Sequence, residues 1–166
     1  LEGDYMIKLF THTDLDGIGC AVLAKLAFGK DVDISYCDYD NIDSSVKEFI
    51  DSKTEFDMCI ITDISVNEGT AKIIDERFDN FYLLDHHPTA LGLNKYPWCS
   101  VTIEYEDKEL GTIKTSGTEM FYHWLIENDY LKDSDTLRRF AELVRNYDTW
   151  RWSGLGEDGV ICKQVN

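Results

Sequence analysis

Two segments decide the fold: Phe56–Val66, FDMCIITDISV, and Phe81–Ala90, FYLLDHHPTA. Each opens with an apolar run of strand length and passes at once into side chains that bind metals: Asp63 in the first, Asp85, His86 and His87 in the second. A third stretch, Ile7–Gly17, IKLFTHTDLDG, repeats the pattern and ends in His12, Asp14 and Asp16. Folding alone does not require acids and imidazoles at the ends of three buried strands. In open parallel sheets the ligand crevice lies outside the carboxyl ends of the strands. The three strand ends are therefore expected to wall a single metal site.

Outward from these segments, the pattern alternates strand and helix. Met6–Thr11 suits a buried strand, and Ile18–Phe28 has helical spacing that Gly29 can stop. Val32–Tyr36 reads as a second strand. Asp43-Ser44-Ser45 can cap a helix reaching about Ser52, Phe56–Thr62 is the third strand, Val66–Arg77 a helix and Phe81–Leu84 the fourth strand. This order predicts an α/β fold, a mainly parallel sheet flanked by helices on both faces with right-handed crossovers.

Beyond His87 the texture changes. Pro88–Pro97 reads as irregular, and Ser100–Tyr105 alternates like an edge strand. Ser116-Gly-Thr-Glu119 fits a capping box opening an amphipathic helix through about Asn128. Its N-terminus could also offer backbone N–H groups to a phosphate, which makes Ser116 a substrate-binding candidate. Ser134–Arg145 is a further helix, followed by Asn146-Tyr147-Asp148 and a Gly-rich tail. His123 reads as structural. Trp150 and Trp152 are expected to pack a domain edge, with base stacking as the alternative.

The composition narrows the function classes. With 32 Asp and Glu against 16 Lys and Arg, the net charge is −16. Such a surface repels polyanions and argues against sequence-independent binding of duplex DNA. A small phosphate ester remains acceptable, because bound divalent ions reverse the local field. The five cysteines form no CxxC pair and several lie among apolar neighbours, which fits a reducing, cytoplasmic compartment. No signal peptide or membrane-length apolar run is evident. Leu1–Tyr5, ahead of Met6, reads as a vector-derived remnant. Residues 6–153 are expected to form the catalytic domain, and 154–166 a tail or the start of a linker to a C-terminal substrate domain.

At the strand ends, two carboxylates in the Asp14-x-Asp16 turn repel unless one is protonated or both bind a cation. His12 adds a nitrogen ligand, and Gly17 lets the backbone turn into the helix. Asp85 can accept an imidazole N–H and fix its tautomer. Carboxylate and imidazole without thiolate suit Mn²⁺ or Mg²⁺, with Fe or Zn as further choices. So many ligands exceed the needs of one ion; two ions about 3.5–4 Å apart would clamp a displacement at phosphorus.

In order, HTDLDG, ITD, DHH and NYD resemble the four motifs of the DHH phosphoesterase superfamily, over about Ile7 to Asp148. That group includes oligoribonucleases, nucleotide phosphatases, cyclic dinucleotide phosphodiesterases, single-strand exonucleases and manganese pyrophosphatases. The resemblance implies a first Mn²⁺ held by His12 and Asp14, with Asp63 bridging to a second held by Asp16, His86 and Asp148. His87 would face the scissile phosphate as a contact or proton donor, and Asp85 would support it from behind. The implied activity is two-metal hydrolysis of a phosphoester in a short single-stranded oligonucleotide or a nucleotide. A homodimer is left open by the resemblance.

Two other readings compete. A haloacid dehalogenase-like phosphatase also begins with a strand and Asp-x-Asp-Gly, with Asp14 as nucleophile, but the later strand ends here carry Asp63 and DHH instead of the Lys and acidic pair it needs. A non-catalytic metal-binding regulatory domain would hold a single ion and show no turnover.

Overall fold

The computed structural model describes residues 6–154 and 156–164; the expected remnant at Leu1–Tyr5 lies outside them. The apolar runs form a five-stranded parallel sheet from β1 (Ile7–His12), β2 (Val32–Cys37), β3 (Met58–Thr62), β4 (Phe81–Asp85) and β5 (Cys99–Val101), in the order β2-β1-β3-β4-β5. β3 is buried at every position, as expected of a central parallel strand covered on both faces.

Alternate residues of the strands feed two cores. Phe10, Cys59, Ile61, Phe81 and Leu83 face one side and pack on α2 (Ile42–Asp51) and α3 (Glu68–Arg77). Ile7, Leu9, Met58, Ile60 and Leu84 face the other and pack on α1 (Leu15–Phe28), α4 (Gly117–Glu127) and α5 (Asp135–Asp148). The period of two in a strand separates these sets. α1 stops at Gly29, whose φ of 61° suits a residue without Cβ.

Several boundaries differ from the sequence reading. The irregular stretch after His87 contains a 3-10 segment, Pro88–Lys95. Asn94 there pairs with both the N–H and the carbonyl of Val101 in β5. The strand expected over Ser100–Tyr105 is divided: β5 ends at Val101, and β6 (Glu104–Asp107) pairs with β7 (Gly111–Lys114) as a separate antiparallel hairpin. α2 starts at Ile42 rather than after an Asp43 cap, and α3 starts at Glu68 with Asn67 as its cap. α5 runs on to Asp148 instead of stopping at Arg145. The expected tail carries a helix, α6 (Glu157–Gln164), tied to α5 by an Arg139–Asp158 ion pair of 2.5 Å. Among the described residues no helix is long and apolar enough to cross a membrane.

The connections leave β1 toward β2 on one side, while β3 lies on the other. Strand order therefore reverses between the carboxyl ends of β1 and β3, where such sheets open a crevice. His12 and Asp14 follow β1 and Asp63 follows β3, so the sheet itself sets them at this point.

Candidate metal centre

Asp63 sits one residue beyond β3, with its N–H on the Leu84 carbonyl (3.0 Å) and a φ of 58°. That left-handed backbone, uncommon for any residue but glycine, turns the carboxylate into the crevice. Asp63 is 1% exposed. Gly117 lies directly against it: a Cβ there would stand 2.5 Å from Asp63 Cβ. No larger residue fits that approach without moving Asp63 or α4.

Three groups of ligand atoms meet around Asp63: two lie on either side of it, and a third joins Asp63 to Asp85, His86 and His87. In the first, His12, Asp14 and Asp63 bring ligand atoms within 4.8 Å of one another; in the second, Asp16, His86 and Asp148 do the same. His12 Nδ1 lies 2.8 Å from Asp14 Oδ2 and 3.9 Å from Asp63 Oδ2. His86 Nε2 lies 3.1 Å from Asp63 Oδ1, 3.5 Å from Asp16 Oδ2 and 3.8 Å from Asp148 Oδ2. The six residues expected as ligands are thus gathered, with Asp63 touching both groups.

Asp63 Oδ2 is buried without a hydrogen-bond partner, and His12 Nδ1, although 2.8 Å from Asp14 Oδ2, makes no well-directed hydrogen bond. Buried polar atoms are nearly always satisfied, and these two face one another inside the first group. Their oxygen and nitrogen donors fit a hard or borderline divalent cation.

The electrostatics agree. Burial, then the neighbouring Asp16 and Asp14, pushes the Asp63 carboxyl well above the usual carboxylate range. Burial and the same two neighbours lift Asp148 to about 7. Burial lowers His86, which favours the neutral ring that a metal ligand requires. Asp14 is held low: burial opposes this, but the Gly17 N–H (3.0 Å) and His12 outweigh it. Without a cation, the acids can share the crevice only by holding protons.

Asp16 has a second engagement. Its Oδ2 accepts the Gly117 N–H (2.6 Å) and its Oδ1 the Thr118 N–H (2.8 Å), while the Thr118 hydroxyl donates to its carbonyl. The N-terminus of α4 is therefore occupied by Asp16. Ser116 is fully buried and its hydroxyl accepts the Glu119 N–H. Of the two roles expected of Ser116, the one observed is the helix cap. The capping box is only half formed, since Glu119 turns instead to Arg145 (2.6 Å), Tyr105 and Thr115.

Asp85 and His87, which share the third group with Asp63 and His86, are hydrogen-bonded to each other. Asp85 Oδ1 accepts the N–H groups of His86 (2.8 Å) and His87 (3.3 Å) and faces His87 Nδ1 at 2.7 Å, while Ser65 donates to Oδ2. Burial opposes ionisation of Asp85, but His87 and Ser65 keep it low. The Asp85 hydrogen bond raises His87, so this ring favours its protonated form. His87 Nε2 points to the Tyr39 hydroxyl at 3.2 Å. His123 lies on the exposed side of α4, outside these groups. Trp150 is 76% exposed, with Trp152 6.1 Å away between ring centroids.

Tyr39, Ser65 and Gly117 escaped the sequence reading. Tyr39 had a signal, since it follows β2 at the same end of the sheet; Ser65 and Gly117 are recognisable only through their spatial neighbours.

No protein-family model matches the chain. The chain is 43% identical, over 167 residues, to the protein named oligoribonuclease NrnB of Bacillus subtilis (strain 168), an alignment covering 97% of this chain and 40% of that protein. This similarity supports the resemblance to the DHH superfamily. The chain spans less than half the length of the curated relative it matches. Solved structures show the same fold. An uncharacterized protein from Helicobacter pylori G27 matches with a TM-score of 0.73 at 19% identity, covering 97% of this chain and 49% of that one. CDC45 from Entamoeba histolytica matches with a TM-score of 0.61 at 16% identity, covering 96% and 33%.

Proposed function

We propose that residues 6–153 form the catalytic domain of a metal-dependent phosphohydrolase, active on a phosphoester of a short oligonucleotide or nucleotide. The observation that carries this reading is the position of Asp63, whose buried, unpaired Oδ2 faces one ligand group while Oδ1 contacts the other. In this proposal His12 and Asp14 hold one divalent ion, Asp16, His86 and Asp148 hold a second, and Asp63 bridges them. Mn²⁺ suits the mixed imidazole and carboxylate set best, with Mg²⁺ as the alternative. When bound, such a pair supplies water activation at neutral pH and neutralises charge on the phosphoryl oxygens.

The chain's own residues do the rest. His87, biased toward its protonated form by Asp85, donates a proton from Nε2 to the leaving oxygen. Asp85 holds the ring through Nδ1 and is itself held by Ser65. Asp16 holds α4, and thereby Gly117, against Asp63. The relative's name supports a short RNA as substrate, and the charge of −16 favours small substrates over long polymers. The free thiols of Cys20, Cys37, Cys59 and Cys99 suit a cytoplasmic setting.

The test is a Mn²⁺-supported hydrolysis screen of dinucleotides, 3′-phosphoadenosine phosphate, cyclic dinucleotides and pyrophosphate, with metal analysis beside it. Two ions per chain and cleavage of dinucleotides are expected. One ion without turnover would instead identify a regulatory domain. A trapped phosphoryl group on Asp14 would identify the haloacid dehalogenase chemistry.

A further inference from the structure

The turn between β2 and α2 carries Tyr39 to the rim of the crevice, and no step of the proposed hydrolysis uses its ring. The turn is firmly closed. Asp38 N–H donates to Asn41 Oδ1 (2.9 Å), and the Asp38 carbonyl accepts from Asn41 and Ile42, both at 3.0 Å. The Asp38 carboxylate accepts the Thr13 hydroxyl (2.7 Å), which ties this turn to the loop bearing Asp14.

The ring is fixed as well. Its hydroxyl rests on His87 Nε2 at 3.2 Å, and its centroid lies 5.1 Å from that of His12 and 6.1 Å from that of His87. Tyr39 nevertheless remains 60% exposed. An anchored ring that stays open to solvent contributes little to a core. It borders a cavity of about 270 Å³ that continues past His87 and is lined also by Asp43, Ser65, Asn67, Glu68 and Asp85. Its three carboxylates, Asp43 engaged by the Asn67 N–H, Glu68 by Lys95 and Tyr96, and Asp85 by His87 and Ser65, outnumber the cations beside them and disfavour a phosphate. An uncharged heterocycle with N–H donors and a flat face is what such a lining accepts.

We propose that Tyr39 is a substrate-positioning residue whose ring stacks a nucleobase of the substrate at the cavity beside His87. This rests on the phosphohydrolase reading and names the part of the substrate that the domain itself grips. Stacking on one aromatic side chain changes affinity by about fivefold to a hundredfold per base.

The experiment measures binding to the Mn²⁺-loaded full-length protein of a dinucleotide with an uncleavable methylenephosphonate linkage, and of counterparts lacking one base or the other. In the wild type, loss of one particular base should weaken binding about tenfold. Tyr39→Phe should keep that discrimination. Tyr39→Ala, and Tyr39→Leu as a variant that preserves bulk, should abolish it. Equal discrimination in wild type and both ring-less variants, or none in the wild type, would overturn the proposal. Hydrolysis of the natural dinucleotide is followed in parallel. Its absence sinks the hydrolase reading, whereas hydrolysis with unchanged base discrimination in the ring-less variants sinks Tyr39 alone.

Discussion

Asp63 Oδ1 stands 3.1 Å from His86 Nε2, and this contact joins the ligand group after β1 to the group completed by Asp148. A carboxylate 1% exposed, on a left-handed backbone and with its other oxygen unpaired, is costly to the fold. A shared cation would relieve that cost for both groups at once.

Asp63→Asn tests the trade. Asn tolerates the positive φ and removes the buried charge. The metal-free variant should melt higher than wild type at pH 8, where ionisation of Asp63 is most costly. With Mn²⁺ it should bind at most one ion by calorimetry and lose hydrolysis by more than about a hundredfold. A variant that keeps two ions and full turnover removes the bridge assignment.

The pH dependence of the metal-free protein follows from Asp148. Its carboxyl titrates at about 7 in the folded chain and near 4 when unfolded. Between these values the native state binds the extra proton, so this group's contribution is complete below about pH 4 and is lost as pH rises toward 7. Melting in chelator from pH 4 to 8 should show wild type losing stability relative to Asp148→Asn across that window. Mn²⁺ affinity should climb over the same range, because the ion displaces the proton. A pH-independent difference between the two proteins contradicts the assignment.

Asp14 and Asp16 should separate when metal is absent. Asp16 receives two backbone N–H groups of α4, so Asp16→Ala should cost about 2–3 kcal/mol in denaturant titrations with chelator present. Asp14 caps α1 through one N–H, so Asp14→Ala should cost about 1 kcal/mol. Equal losses would mean that the clamp on α4 contributes no more than a helix cap.

His87→Ala should retain both ions and lose turnover by about 10²–10⁴. The ring is held by Asp85 and Tyr39; it lies with Asp63, Asp85 and His86 in a third group of ligand atoms but in neither of the two assigned here to ions. If metal analysis shows an ion missing in this variant, His87 is itself a ligand.

Much of this was legible in the chain. The runs at Ile7–Thr11, Met58–Thr62 and Phe81–Leu84 have the length and continuity of parallel strands, and the polar residues placed directly after them could only emerge at one end of the sheet. Helix ends were read less well. α5 was expected to stop at Arg145, but it continues to Asp148, so that acid arrives from the last turn of a helix. The signal was hidden because Arg145 is not a surface residue: its ion pair with Glu119 is buried, 2.6 Å long, and joins α5 to α4.

The parallel sheet, the crevice at its carboxyl ends and the identity of the acids and imidazoles there are written in the chain, because apolar periodicity and the residues next to it are local properties. Packing alone reveals that Asp16 also holds α4, that Gly117 must lack a side chain, that Glu119 leaves the capping box for Arg145 and that Tyr39 stands beside His87. Each of these depends on partners distant in the chain, Asp16 and Gly117 being 101 residues apart, and no local pattern encodes a contact that exists only once the two cores have packed.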